Sequence, residues 1–321
     1  MSHNDNYVNF NGVNMCINSN EIQITTPLLL SVAQTAKVHP LLIPCSPFMK
    51  KEASALSRTS TLNPSSRLSI RLNKALADAG LCSRRKADEL IQNGFVAING
   101  IITRELGLRV LPSDIISVHG KTIPTSPQTR TWLLMNKPVQ VVCTAHDPEG
   151  RRTVLDILPE HWKKLRLFPV GRLDYFSEGL LLLTDDGELA HRVLHPAYQV
   201  PRVYHMLVRE QPDEAILRHI RSGMRLVEGE QLAPMKARPL PSSARLSHFP
   251  PYGTLVEITM TQGVNRQIRR ICRDLKLTVL RLARVAHGAI VLGDLPPGGV
   301  RMLKDEEIAL LRGEDSCNSG T

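Results

Sequence analysis

The chain has 321 residues, 42% of them hydrophobic, which is enough for about two domains and at least one sizeable core. Its 40 Lys+Arg against 30 Asp+Glu leave a formal charge of +10 and a pI near 9.5, a balance that suits a polyanionic partner. No apolar run approaches the ~18–20 residues that span a bilayer, and the short apolar stretch at 27–36 lacks the basic run of a secretory signal, so a cytoplasmic location away from membranes is expected.

Residues 1–66 mix Asn-rich sequence, a short apolar patch and Ser/Thr/Pro-rich sequence from Ser54 to Ser66. No sustained helical or strand period shows, which predicts a poorly ordered extension. Met49, followed by Lys50 and Lys51, is a candidate start of the native chain. The cysteines (Cys16, Cys45, Cys82, Cys143, Cys272, Cys317) are scattered and read as reduced thiols, and the histidines are dispersed, so neither a metal nor another cofactor is expected.

Residues 67–122 read as a small α+β domain. Leu72, Ala75, Leu76 and Ala79 share one helical face that Gly80 terminates. Ser83 stands at an N-cap, Ala87, Leu90 and Ile91 form the next apolar face, and Gly94 ends it. Residues 96–103 read as a hairpin turning at Asn99-Gly100, and a strand at 115–119 follows the turn Pro112-Ser113-Asp114. A linker at 123–131 leads to a larger domain, 132–312, with alternating strand-like and helix-like segments. The polar residues 313–321 read as a frayed tail.

The second helix opens Ser83-Arg84-Arg85-Lys86. A helix N-terminus carries positive partial charge, so three cations there oppose the dipole by ~0.3–1 kcal/mol each. With the free backbone N–H groups they make a site for phosphates; a solvated charged face is the alternative. In the larger domain, 167–173 is strand-like and 179–184 is a near-continuous aliphatic run, both suited to buried strands. The loop Asp174-Tyr175-Phe176-Ser177-Glu178 holds a carboxylate between them. That is a good place for chemistry, although an Asp in a loop is more simply a turn former.

Arg71-Leu72-Asn73-Lys74-Ala75, Ala79-Gly80-Leu81-Cys82-Ser83-Arg84-Arg85 and Val96-Ala97-Ile98-Asn99-Gly100 resemble the RNA-binding domain shared with ribosomal protein S-four. The resemblance implies that Arg71, Lys74, Arg84, Arg85 and Lys86 face structured RNA. Gly171-Arg172-Leu173-Asp174, Ser177-Glu178-Gly179-Leu180-Leu181-Leu182-Leu183-Thr184 and Asp186-Gly187-Glu188-Leu189-Ala190 resemble the signature of pseudouridine synthases, in the RsuA/RluB branch that carries this small domain. Leu134-Met135-Asn136-Lys137-Pro138, His195-Pro196 with Arg202-Val203-Tyr204, Asn265-Arg266-Gln267-Ile268-Arg269-Arg270, and Arg281-Leu282-Ala283-Arg284 with Gly288 match in order. Asp147-Pro148-Glu149-Gly150-Arg151 with Thr153-Val154 is similar to the RluB type, which acts on large-subunit ribosomal RNA.

The resemblance implies an α+β protein whose catalytic domain is built on a mixed, largely antiparallel sheet and converts one uridine to its carbon-linked isomer. Asp174 would attack the uracil ring or the ribose anomeric carbon, or stabilise a ribose cation. Arg269 would keep it charged, where the residue alone reads as an RNA contact. Tyr204 would stack on the target base, where a Tyr in a strand alone reads as core packing. Lys137, Arg172, Arg266 and Arg270 would contact RNA. By its place next to Leu173-Asp174, Arg172 reads either as holding the place the base vacates or as maintaining the loop. The implied partner is ribosomal RNA or a ribosomal assembly intermediate, met by a monomer. Two positions depart from the family pattern: Gln262-Gly263-Val264 replaces an acidic residue, Gly and a basic residue, and Arg202 stands where Lys is usual. Competing classes are a ribosome-binding factor with an inactive second domain, and a nucleoside hydrolase pairing Asp174 with Glu178, Asp185 or Asp186; small-subunit ribosomal RNA is the competing substrate.

Overall fold

A computed structural model of the chain describes residues 69–124 and 129–314, and the backbone of 7–10, 13–18 and 21–24. The central part of the expected linker and most of the expected tail lie outside the described residues. Strands β1 (Tyr7–Phe10), β2 (Val13–Asn18) and β3 (Glu21–Ile24) pair antiparallel in chain order, in a unit separate from the rest of the chain. These strands fall within the extension expected to be poorly ordered, the rest of which lies outside the described residues. Val13, Met15 and Ile17 alternate with Asn14, Cys16 and Asn18, a period of two hidden among the flanking Asn residues.

The small α+β part runs β4 (Ile70–Arg71), α1 (Leu72–Asp78), α2 (Arg84–Gln92), β5 (Val96–Ile98), β6 (Ile101–Thr103), β7 (Arg109–Val110), β8 (Ile116–Val118) and β9 (Lys121–Thr122). Leu72, Ala75 and Leu76 of α1 pack with Ala87 and Ile91 of α2 and with Val96, Val110 and Ile116. Ser83 Oγ accepts from Lys86 N–H at 3.2 Å and caps α2. Asn99 and Gly100 both adopt positive φ, 51° and 83°, as a two-residue hairpin turn requires.

The large part runs β10 (Trp132–Lys137), α3 (Glu160–Lys163), β11 (Phe168–Val170), β12 (Glu178–Thr184), α4 (Gly187–Leu194), β13 (Arg202–Val208), α5 (Glu214–Ser222), β14 (Lys236–Pro239), β15 (Thr254–Met260), α6 (Gln267–Asp274), β16 (Val279–His287), β17 (Ile290–Val291), β18 (Val300–Met302) and α7 (Asp305–Arg312). Nine of these strands form one sheet in the order β14-β15-β13-β16-β12-β10-β18, with β11 added to β12 and β17 to β16. Only β12 and β16 run parallel; every other pairing is antiparallel. The protein is α+β on a mixed, mostly antiparallel sheet, as expected.

Period two sorts the aliphatic run of β12 onto both faces of the sheet. Leu180 and Leu182 pack with Trp132, Leu134 and the α4 residues Leu189, Ala190 and Val193. Leu181 and Leu183 pack oppositely, with Leu133, Met135, Val154, Leu158 and Leu173. All four leucines are fully buried, worth roughly 1.5–3 kcal/mol each. Further along the sheet, Met206, Val256 and Ile258 lie under Leu217 and Ile220 of α5 and Ile268 and Ile271 of α6. This places the start of α6 opposite the loop after β11.

The two parts meet through polar contacts. Lys74 Nζ lies 3.1 Å from Glu188 Oε2, Arg130 Nη1 donates to the carbonyls of Asp78 (3.2 Å) and Asp185 (3.4 Å), and Thr131 N–H donates to Asp185 Oδ1 at 2.8 Å. No helix among the described residues is long and apolar enough to cross a membrane.

Candidate active site

The loop carrying Asp174 is anchored at every turn. Asp174 C=O accepts from Ser177 N–H (3.0 Å), Tyr175 C=O from Gln140 N–H (2.7 Å), Phe176 C=O from Arg269 Nη2 (2.7 Å) and Ser177 C=O from Lys137 Nζ (2.8 Å). Four consecutive carbonyls are thus held by four partners, three of them outside the loop, which pre-organises the carboxylate. The loop then enters β12 through Gly179, at φ +99°. A Cβ there would sit 2.3 Å from Arg284 C=O on the parallel strand β16, so only glycine permits this approach.

The Asp174 carboxylate faces the start of α6. Its Oδ2 lies 3.8 Å from Arg269 Nε and 3.9 Å from Arg266 Nη1, charge pairs just outside hydrogen-bond range. Arg269 is partly buried, and desolvation lowers its pKa, opposed by Asp174. Arg266 sits at the helix N-cap in the left-handed region, φ 50°, with no capping side chain. A non-glycine residue there costs about 1–2 kcal/mol, strain located beside the Asp174 carboxylate.

Asp174 and Arg269 open onto a cleft of about 810 Å³ between the loop after β11, strands β13 and β16, and the segment before α6. Five arginines line it (Arg172, Arg202, Arg266, Arg269, Arg284), and Asp174 is the one carboxylate among the lining residues. Tyr204 lines it from β13, where its backbone pairs with Arg284. The remaining surface is a mix of apolar and amide groups such as Met260, Leu282, Gln262 and Asn265. A strongly positive, partly apolar hollow of this size suits a base with its phosphates.

The sequence matches the RNA pseudouridylate synthase family over residues 131–274 and the S4 domain over 70–116. It is 40% identical over 246 residues to an RNA pseudouridine synthase of Aquifex aeolicus, covering 76% of this chain and 94% of that protein. The chain belongs to the pseudouridine synthase family. It is also 37% identical to the ribosomal large subunit pseudouridine synthase B of Bacillus subtilis, covering 75% of this chain and 95% of that protein. A crystal structure of pseudouridylate synthase superposes with a TM-score of 0.53 at 26% identity, covering 75% of this chain and 99% of that one. This pseudouridine synthase is therefore an isomerase acting on RNA.

Of the residues singled out in the sequence of this synthase, the cleft gathers Asp174, Tyr204, Arg269, Arg172 and Arg266. Arg71, Arg84, Arg85 and Lys86 are exposed on the S4 domain. Three expected RNA contacts are placed otherwise. Lys137 is fully buried and donates to the carbonyls of Pro138 and Ser177, both at 2.8 Å, because β10 points it under the Asp174 loop. Arg270 is drawn into a pair with Glu230 and a second with Glu228 at 3.1 Å, since α6 turns it away from the cleft. Lys74 joins the S4 domain to the synthase domain through Glu188 and pairs with Asp78 at 3.8 Å.

The carboxylates offered as partners of Asp174 are also occupied. Glu178 is buried and takes Arg281 Nε and Nη2 at 2.7 and 2.6 Å and His248 at 3.1 Å. Asp186 caps α4, and Asp185 holds Thr131. His191 and His195, four residues apart with rings 5.1 Å apart, share a spacing that the metal-free expectation passed over. Among the described residues no three His, Cys, Asp or Glu side chains come together as a metal site. Arg202 and Arg284 also line the cleft, without a site role in the sequence expectations, and His287 lies beside Arg202 in the strand pairing. The alternation of Arg202 and Tyr204 along β13 was the signal that could have found the first.

Proposed function

We propose that this enzyme isomerises one uridine of large-subunit ribosomal RNA, with Asp174 acting on the target nucleotide. The observation that carries it is a single carboxylate, flanked by Arg269 and Arg266, in a cleft whose other charged lining residues are all arginines. The resemblance to the Bacillus subtilis large-subunit enzyme over nearly its whole length supports the substrate. In this reading residues 67–122 grip folded RNA through Arg71, Arg84, Arg85 and Lys86, and residues 132–312 carry the reaction. Tyr204 serves as the platform for the flipped base, and Arg269 is the charge partner of Asp174. Arg172 and Arg266 meet phosphates at the mouth of the cleft, and Arg172 fills the vacated stack. The isomerisation breaks a C–N bond and makes a C–C bond with no net oxidation, so these side chains suffice for its proton and charge transfers. The enzyme meets its RNA as a cytoplasmic monomer, on ribosomal RNA or an assembly intermediate.

Mapping pseudouridine in ribosomal RNA from cells lacking the protein tests the substrate. Loss of one large-subunit site is expected; loss of a small-subunit site would move the target, and no loss would favour a binding factor. Asp174→Asn should abolish isomerisation in complemented cells and leave RNA affinity within about twofold, because the phosphate contacts that dominate affinity remain. Retained turnover would remove Asp174 from the mechanism.

A further inference from the structure

Arg266 and Arg269 face Asp174, but the two arginines that project from β13 and β16 face no carboxylate among the described residues. Arg284 is 2% exposed; its Nε donates to Leu180 C=O at 2.8 Å and its Nη2 is buried with no acceptor. Arg202 is half-buried and has neither a hydrogen-bond acceptor nor an ion pair among the described residues. Its Nη1 packs on Gly263, 3.0 Å from where a Cβ would stand. Strand pairing brings the two together, Tyr204 beside Arg284 and Arg202 beside His287. His287 offers no counter-charge. It is fully buried with both ring nitrogens unpartnered, and burial first, then Arg284 and Arg202, push its pKa well below the usual histidine range.

An unpaired buried cation is costly, and native proteins pair or hydrogen-bond nearly all of them. Arg281, on the same strand as Arg284, shows the ordinary solution, a two-pronged pair with Glu178. Two desolvated guanidiniums left open in one cleft are arranged for an anion that arrives with the substrate.

We propose that Arg202 and Arg284 form an anion hole for the pyrimidine ring of the target uridine, holding the negative charge that the ring carries during isomerisation. The proposal rests on the assignment of that reaction to this cleft. Every route open to Asp174 sends an electron pair onto the ring. When N1–C1′ breaks, through attack of Asp174 on C1′ or removal of a C2′ proton, the bonding pair stays on N1 and spreads to O2. When Asp174 adds instead at C6, the C5–C6 π pair moves to C5 and O4. On the C1′ route C5 then bonds C1′ as the Asp174–C1′ bond breaks; on the elimination route C5 bonds C1′ of the glycal as C2′ takes its proton back. On the addition route N1–C1′ breaks as C5 bonds C1′, and the Asp174–C6 bond breaks as the C5 proton leaves. In each case the C5 proton is lost, N1 gains a proton and the ring is again neutral. Fixed cations aimed at such transient charge, in a site that excludes water, are worth most because they need no reorganisation. Depth separates this charge from phosphate charge. Arg172 and Arg266 are exposed, whereas Arg284 is buried and pairs beside Tyr204, the residue assigned to the base.

The test uses the full chain and an RNA fragment containing the target uridine, with Arg202→Gln and Arg284→Lys. Each variant should lose ~10²–10³-fold in single-turnover rate, the scale of an oxyanion-hole donor, with RNA Kd within about twofold of wild type. With 5-fluorouridine at the target, fluorine itself stabilises the ring anion, and the loss in its rate of consumption should shrink below about tenfold. Weaker RNA binding, with a lower salt slope and an unchanged single-turnover rate, would overturn the proposal and assign the pair to a phosphate. Wild-type rate and affinity in both variants would overturn it as well. Arg202 has no hydrogen bond to lose, so Arg202→Gln decides the matter if Arg284→Lys fails to fold. An active wild type with insensitive variants sinks only this proposal; a wild type that makes no pseudouridine sinks the functional assignment.

Discussion

Lys137 offers a test that joins the fold to the site. Its side chain is fully buried under the Asp174 loop, and desolvation lowers its pKa from 10.5 to about 8, against smaller opposing contributions that include Glu178 and Asp174. Below pH 8 the folded and unfolded chains both carry the proton, and the full cost of burying the ammonium is present. Between pH 8 and 10.5 the unfolded chain binds more protons, so stability rises with pH, by about 1.4 kcal/mol at pH 9 and about 2.5 kcal/mol at pH 10. Lys137→Met keeps the volume and removes the titration. It also leaves the carbonyls of Pro138 and Ser177 without a donor, a pH-independent loss of roughly 1–3 kcal/mol each. Urea unfolding of both proteins at pH 7, 8, 9 and 10 should therefore show the variant falling further behind by about 2.5 kcal/mol across the range. Parallel stability profiles would refute the reasoning, because they would mean that this amine does not titrate in the folded state. Turnover of the variant at pH 7 should also drop while RNA affinity holds, since one of the four ties on the Asp174 loop is gone.

Three further outcomes follow from single contacts. Gly179→Ala forces a Cβ to 2.3 Å from Arg284 C=O in a backbone with φ +99°, so the β12–β16 pairing should fail and a thermal melt should show loss of most of the domain's stability. Glu178→Leu leaves Arg281 as an unpaired, partly buried cation and should cost roughly 3–5 kcal/mol in urea unfolding, with Arg281→Met in the same chain recovering much of it. Arg84→Gln with Arg85→Gln should lower the slope of log K against log salt for RNA binding by about 1.4–1.8, two phosphate contacts' worth, with the saturated rate unchanged.

Strong local patterns were legible in the sequence. The Ser83 cap, the Asn99-Gly100 turn and the burial of the 179–184 run all follow from residue chemistry within a few positions. The short strands β4, β7 and β9 were not legible, because two residues have no period to read. Nor was the neighbourhood of each cation. Lys137, Arg270 and Arg172 look alike in sequence, yet one is buried under a loop, one is held by two glutamates and one is exposed. Strand direction and helix rotation decide those fates, and both are set by packing far along the chain.

That sorting of cations by depth explains why one net charge serves several purposes. Exposed arginines in the S4 domain and at the mouth of the cleft gain long-range, salt-dependent attraction for RNA and lose little by being solvated. Arg269 and Lys137 spend their donors on loop carbonyls, so their charge matters less to binding than their geometry does to Asp174. Arg202 and Arg284 are the costly ones, desolvated and without counter-ions, and such a cost is recovered only by charge that appears beside them in a water-poor site. Neutralising the exposed arginines should therefore change affinity and its salt dependence, and replacing Arg202 or Arg284 should change the rate. The formal net charge of +10 contains both effects and distinguishes neither.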